Sequence, residues 1–187
     1  SYRLVVDAYA GAEILGLMGI GLGVAVSVSG LVESLVGQYF YPKYYAVISE
    51  GGLETRLSAW QELWRNSLSI FLPVTIYVVS CAPSLLRLLV SERFHGIGYL
   101  VMIGAIIELF RMLTNIIYII SQSELNTRTT IVPYLQGAIL VLVGISAVIH
   151  FEPSRIIMLV PVVLAFSGGV VCASMYFRMR KVLSISV

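Results

Sequence analysis

The sequence predicts an all-α fold, a polytopic membrane helix bundle with five complete transmembrane helices plus the tail of a sixth. Three observations predict it. Hydrophobic residues make up 58% of the 187-residue chain and charged residues 12%, with a mean hydropathy of +0.93, more apolar surface than one soluble core of this size would bury. Five apolar segments, at roughly 12–38, 64–82, 96–121, 128–150 and 155–179, reach about 20 residues, the length a helix needs to cross a bilayer. The aromatic residues gather near the ends of those segments.

Composition also excludes several classes. Twelve Lys and Arg against ten Asp and Glu leave a net charge of +2 and no basic stripe, so no nucleic-acid partner is expected. Cys81 and Cys172 lie far apart in apolar segments, without the paired spacing of a zinc or thiol-redox motif, and read as small packing residues. The chain opens at Ser1 with neither a Met nor a basic n-region and cleavage site, which reads as a cut within a longer protein.

Residues 1–10, "SYRLVVDAYA", read as the tail of a helix whose beginning is missing. The first complete helix repeats small residues every seven positions, at Gly16, Gly23, Gly30 and Gly37, joined by Gly19, Ser27 and Ser34. Such a stripe predicts close packing against another helix, with a substrate-contacting face as the alternative. Glu33 falls near the inner end, as a solvated end charge or a lumen residue. Tyr39, Tyr41, Tyr44, Tyr45, Trp60 and Trp64 surround the first loop, where amphipathic rings favour the headgroup layer. "EGGLETRLSAWQELWR" reads as a turn at Gly51–Gly52 and then an interfacial helical stretch.

In the second helix, Asn66, Pro73, Tyr77, Ser80 and Ser84 share a stripe. Pro73 frees a backbone carbonyl and permits a kink, so this stripe is a secondary cavity or hinge candidate, with plain packing as the alternative.

The third helix carries the sharpest signal. Glu108, Arg111, Asn115, Tyr118 and Gln122 follow one helical face within "AIIELFRMLTNIIYIISQ". At a rise of 1.5 Å per residue, Glu108 lies about 18 Å from one end of the segment and about 20 Å from the other, near the bilayer centre. A central Arg or Asp costs about 2.5–3.5 kcal/mol even on a lenient insertion scale, so both charges should face protein or water. A local i, i+3 ion pair is the structural alternative. The polar track continuing through Asn115, Tyr118 and Gln122 favours a cavity-lining role.

Pro133 with Tyr134 and Gln136, and Pro161 with Ser167, Gly168 and Gly169, mark irregularities in the fourth and fifth helices. His95 and His150, with Glu92 and Glu152 nearby, read as surface loop residues, too sparse for a metal site. Neither a metal nor another cofactor is expected.

If the helices alternate, one side holds Lys43, Arg56, Arg65, Arg128, Arg178, Arg180 and Lys181, and the other Arg3, Arg87, Arg93 and Arg155, with Arg111 inside the membrane. The first side is then cytoplasmic, as is the C-terminus.

"YRLVVDAYAGAEILGLMGIGLGVAVSV" resembles the junction of the seventh and eighth helices in polysaccharide and lipid-linked oligosaccharide flippases of the multidrug/oligosaccharidyl-lipid/polysaccharide exporter superfamily. There a "G-x-x-x-L-G" turn opens the next helix, as Gly11 to Gly16 do here. "APSLLRLLVSERFHGIGYLVMIGAII" is similar to that family's outer loop and tenth helix. The likeness spans nearly the whole chain but rests on helix spacing and loose patterns. An acidic residue often precedes the arginine in such proteins, whereas Tyr2 precedes Arg3 here.

The resemblance implies two six-helix lobes rocking about a central cavity, with residues 1–187 as most of the C-terminal one. It further implies a multi-pass protein of a prokaryotic cytoplasmic membrane, moving a polyprenyl-diphosphate-linked oligosaccharide by alternating access for polysaccharide biosynthesis. The implied partners are membrane lipids, the lipid-linked oligosaccharide and the missing N-terminal lobe. In that frame Arg111 contacts the diphosphate, Glu108 orients it or responds to a coupling cation, and Asn115, Tyr118 and Gln122 line the sugar path. A cation-coupled multidrug exporter of the same superfamily and a non-transporting membrane scaffold are the alternatives. A membrane enzyme would present clustered acids, His or metal ligands at an interface; the sequence has no such cluster, so no enzyme is expected.

Overall fold

The computed structural model describes residues 2–50, 52–123, 128–152 and 155–185. They form α1 (Tyr2–Glu50), α2 (Leu53–Leu89), a 3-10 turn (Glu92–Ile97), α3 (Gly98–Ser123), α4 (Arg128–Phe151) and α5 (Ile156–Ile185). All five α-helices are long and apolar enough to cross a membrane, and the chain is an all-α, multi-pass helix bundle. Gly51, expected in the first turn, lies outside the described residues, as do the side chains of Arg93, Arg128 and Lys181.

α1 is broken at Gly11, whose φ of 82° and ψ of 162° leave the helical region. That conformation belongs essentially to glycine, because a Cβ would collide with neighbouring backbone. The break turns the expected tail, residues 2–10, back along the longer arm, residues 12–50. Arg3 consequently borders the same groove as Gly19, Leu22, Gly23 and Val26, and Val6 is buried in one core cluster with Met18 and Val24.

α3 is the most buried of the five helices and packs against α1, α2 and α5, while α4 leans chiefly on α5. Around one half of α3 the core joins Ala25, Leu86, Leu100, Ala105 and Val160. Around the other it joins Tyr44, Trp60, Phe71, Met112, Ile116 and Met175. Small residues bring helices together at particular points. A Cβ on Gly21 would stand 2.5 Å from Cβ of Leu100, and one on Gly104 3.0 Å from Cβ of Ala25, so α1 and α3 meet almost backbone to backbone. Gly137 lies against Val171 and Gly144 against Val163 in the same way, joining α4 to α5. Ser167 Oγ donates to Gly137 O at 3.0 Å, and Ser174 Oγ to Gln136 Oε1 at 3.1 Å.

The glycine stripe of α1 does not make these contacts. A Cβ on Gly16, Gly19, Gly23 or Gly30 would meet nothing within 4 Å, and one on Gly37 would first meet the ring of Tyr41 on its own helix, at 2.9 Å. The stripe borders open space within this bundle, which corrects the expectation of a packed helix interface. Close approach is made instead by Gly21, a position off the seven-residue repeat.

The stretch expected to lie in the interface is continuous with α2, which has 37 residues. At 1.5 Å per residue it spans about 55 Å, well beyond a hydrocarbon core of about 30 Å. Trp60 and Trp64 lie against Tyr176 of α5, with ring centroids 6.0 and 5.2 Å apart. Trp60 and Tyr44 are buried, so those two rings hold α1, α2 and α5 together, while Tyr39 and Tyr45 remain exposed.

Candidate functional site

The periodic face of α3 carries its polar groups as the spacing requires, and α1 supplies their partner. Arg111 Nε donates to Glu108 Oε2 at 2.8 Å, and Nη2 forms an ion pair with the same oxygen at 2.8 Å, which is the local i, i+3 pair. Nη2 also donates to Glu33 Oε2 at 2.6 Å. Asn115 Nδ2 donates to Glu33 Oε1 at 2.7 Å. Glu33 therefore binds two groups of α3 at once, one through each carboxylate oxygen. Its carboxylate is therefore engaged by α3 and is not a free end charge.

Exposure grades across the cluster: the side chain of Glu108 is 7% exposed, Glu33 19% and Arg111 40%. Glu108 anchors the guanidinium from the protein side, and Arg111 faces open space. The bonded cluster contains two carboxylates and one guanidinium. Such short, charge-assisted bonds in weakly polar surroundings are stronger than the same pairs in water.

Three openings meet at this cluster. A cleft of about 590 Å³ between α1 and α3 is lined by Glu33, Ser34, Gln38, Tyr41, Asn115, Tyr118 and Gln122, with Gly30 and Gly37 leaving room for it. Within it Gln122 Nε2 donates to the Tyr118 hydroxyl at 3.0 Å, and Gln38 Nε2 to Ser34 Oγ at 3.1 Å. The α1–α3 contact at Gly21 and Gly104 bounds the cleft on one side. On the other, the Tyr44 hydroxyl and Ser123 Oγ share a hydrogen bond of 3.0 Å. A second groove, of about 480 Å³, has Arg3, Gly19, Gly23, Ile107, Glu108 and Leu164 on its walls. A third, of about 550 Å³, lies among α3, α4 and α5; it is mainly apolar, from Phe110, Val141, Leu142 and Leu164, with Arg111 and Asn115 at its edge.

Arg3 was expected among the loop bases on the outer side. It lines the second groove at the end near Gly19, because the chain folds back at Gly11. Pro73 and Tyr77 are exposed on α2 and border none of these openings, so the second-helix stripe does not join the site. Asn66 borders a different cavity, of about 650 Å³, with Tyr39, Lys43 and Glu62. Among the described residues no group of three or more His, Cys, Asp or Glu is placed to hold a metal ion.

Gln38 was not singled out from sequence, and Ser34 and Tyr41 were read only as a packing residue and an interfacial ring, though the three follow i, i+4 and i+7 on one helical face. Preferring the substrate-contacting reading of the glycine stripe over the packed one would have joined them to Glu33. The arrangement offers fixed charges, carboxamides, hydroxyls and aromatic rings facing one another across a gap. The chain matches no family model, no curated protein and no solved structure.

Proposed function

We propose that the chain is one lobe of an alternating-access membrane transporter, and that its substrate is an oligosaccharide carried on a polyprenyl diphosphate, crossing the cytoplasmic membrane of a prokaryote for polysaccharide biosynthesis. The observation that carries this reading is the ion cluster shared by α1 and α3, in which Arg111 stays 40% exposed while bonded to Glu33 and Glu108. Charges held among membrane helices yet open on one side suit a polar passage. A pair serving packing alone would be shut in by apolar neighbours. The cleft beside it supplies Ser34, Gln38 and Tyr41 from one helix and Asn115, Tyr118 and Gln122 from the other, groups able to hydrogen-bond a glycan.

In this reading Arg111 contacts the diphosphate, exchanging the Glu33 carboxylate for a phosphate oxygen; its guanidinium stays charged and offers paired donors. Glu108 orients that guanidinium or responds to a coupling cation. The partners are a second lobe and the surrounding lipid. A flipping assay with the full-length protein tests it: Arg111→Ala at normal expression should abolish transport, and undiminished transport would remove Arg111 from the mechanism.

One observation favours a second reading, a cation-coupled multidrug exporter. The bonded cluster has two carboxylates to one guanidinium, a surplus of negative charge that suits a cationic guest. Inhibition of transport by organic cations, and not by isoprenyl diphosphates, would decide for it.

A further inference from the structure

Charge does not balance where α1 meets α3. Glu33 and Glu108 share the single guanidinium of Arg111, which leaves one negative charge over. Arg111 stands midway along the 26 residues of α3, about 18 to 20 Å from either end and so near the middle of a bilayer. A surplus charge at that depth is expensive. Among the described residues, the only further ionised side chain lining the three openings is Arg3. It stands near Gly19, about 21 Å along α1 from Glu33, too far to offset the surplus. The other titratable groups on these walls are phenols, Tyr41 of α1, Tyr118 of α3 and Tyr134 of α4. The described residues of α2 and α5 bring none to the openings.

The two carboxylates differ in how readily each can give up its charge. Glu108 is nearly enclosed and holds Nε and Nη2 from within its own helix. Glu33 is more exposed, lines the α1–α3 cleft, and reaches Arg111 across the gap through Nη2. A proton arriving through the cleft therefore meets Glu33 first. With Glu33 neutral, Arg111 and Glu108 remain as a balanced pair, and Nη2 can turn to another acceptor. A metal cation suits the place less well, because the guanidinium 2.6 Å from the same carboxylate repels it.

We infer that Glu33 is a proton site linked to anion binding: it takes up one proton as a phosphate oxygen replaces it on Arg111 Nη2. The proton comes from solvent and ends on a Glu33 oxygen. Nη2 passes its hydrogen bond from Glu33 Oε2 to the phosphate, and the guanidinium keeps all its protons. Without the uptake, two carboxylates and a phosphate would crowd one guanidinium. Linkage is reciprocal, so a lower pH tightens anion binding and the anion tightens proton binding. The identity of the guest as an anion rests on the transporter reading above, whereas the proton count is measured separately from it.

The test uses the full-length protein in lipid nanodiscs and a long-chain isoprenyl diphosphate. Calorimetry in two buffers of different ionisation enthalpy should show about one more proton taken up per ligand by the unaltered protein than by Glu33→Gln, the difference removing any change on the diphosphate itself. At about pH 8, Glu33→Gln should bind about tenfold more tightly than the unaltered protein, since its competing carboxylate is gone, and the two affinities should converge as the pH falls. A residue that only held the helices together would weaken binding when altered. In the unaltered protein, ligand should raise a protonated-carboxyl band in the infrared difference spectrum, a readout that needs no variant. Equal proton counts, weaker binding by Glu33→Gln at high pH, or no such band with ligand bound overturns the inference. If Glu108→Gln and not Glu33→Gln removes the extra proton, Glu33 is not the site. If Arg111→Gln abolishes binding while the proton counts of the unaltered protein and Glu33→Gln match, the transporter reading survives and this one fails. Failure of the unaltered protein to bind the diphosphate removes both.

Discussion

Nη2 of Arg111 lies 2.6 Å from Oε2 of Glu33, a residue 78 positions earlier in the chain. The same carboxylate takes a hydrogen bond from Asn115 at 2.7 Å, so one side chain of α1 ties down two groups of α3. Removing its charge should loosen both bonds together. Glu33→Gln is expected to lower stability by about 1–3 kcal/mol, measured as detergent-solubilised thermal denaturation, while Asn115→Ala should cost less because Arg111 keeps Glu33 occupied. Equal losses would mean that the two bonds do not share a partner in solution.

Charge balance gives a sharper comparison. Arg111→Leu leaves Glu33 and Glu108 facing each other without their cation, and should destabilise by about 1–3 kcal/mol, less than a fully enclosed pair would lose because Arg111 is partly exposed. Replacing Glu33, Glu108 and Arg111 together with apolar residues should restore most of that stability and still abolish transport. A triple variant that transports normally would assign the cluster to packing.

Gly21 and Gly19 provide matched substitutions two residues apart. An alanine at 21 would press its Cβ to 2.5 Å from Leu100, whereas at 19 it would meet nothing within 4 Å. Gly21→Ala should cost about 1–3 kcal/mol through overpacking, and Gly19→Ala should be neutral or slightly stabilising through its better helix propensity. A reversed order in thermal melts would place the helix contact on the stripe after all.

The fold-back at Gly11 is equally exposed to test. Gly11→Ala puts a Cβ on a residue with φ of 82°, at an expected cost of about 1–3 kcal/mol. Relief of that strain would draw the 2–10 arm away from the groove, so Arg3 should react faster with phenylglyoxal. Unchanged melting and reactivity would show that the turn does not need glycine.

Helix type and number were legible in the sequence because a membrane span is a long continuous run, and the α3 polar face because a single helix fixes which of its own residues align. Glu33 as the partner of Arg111 was not, since periodicity within α1 and within α3 says nothing about how far one slides along the other. That register comes from Gly21 meeting Leu100 and Gly104 meeting Ala25. The small-residue stripe was misjudged because a face without side chains fits a neighbouring helix and an empty space equally well. That Arg3 borders the groove along α1 was not legible, because one backbone angle at Gly11 reverses the chain, and composition does not reveal which glycine will do so.

The gap between α1 and α3 is fastened at both extremities, by the Gly21–Leu100 abutment and by the Tyr44–Ser123 hydrogen bond. If the transporter reading holds, a guest cannot be threaded lengthwise between the two rods without undoing a fastening. It must arrive broadside, through the flank, and is admitted or refused by its girth and not its length.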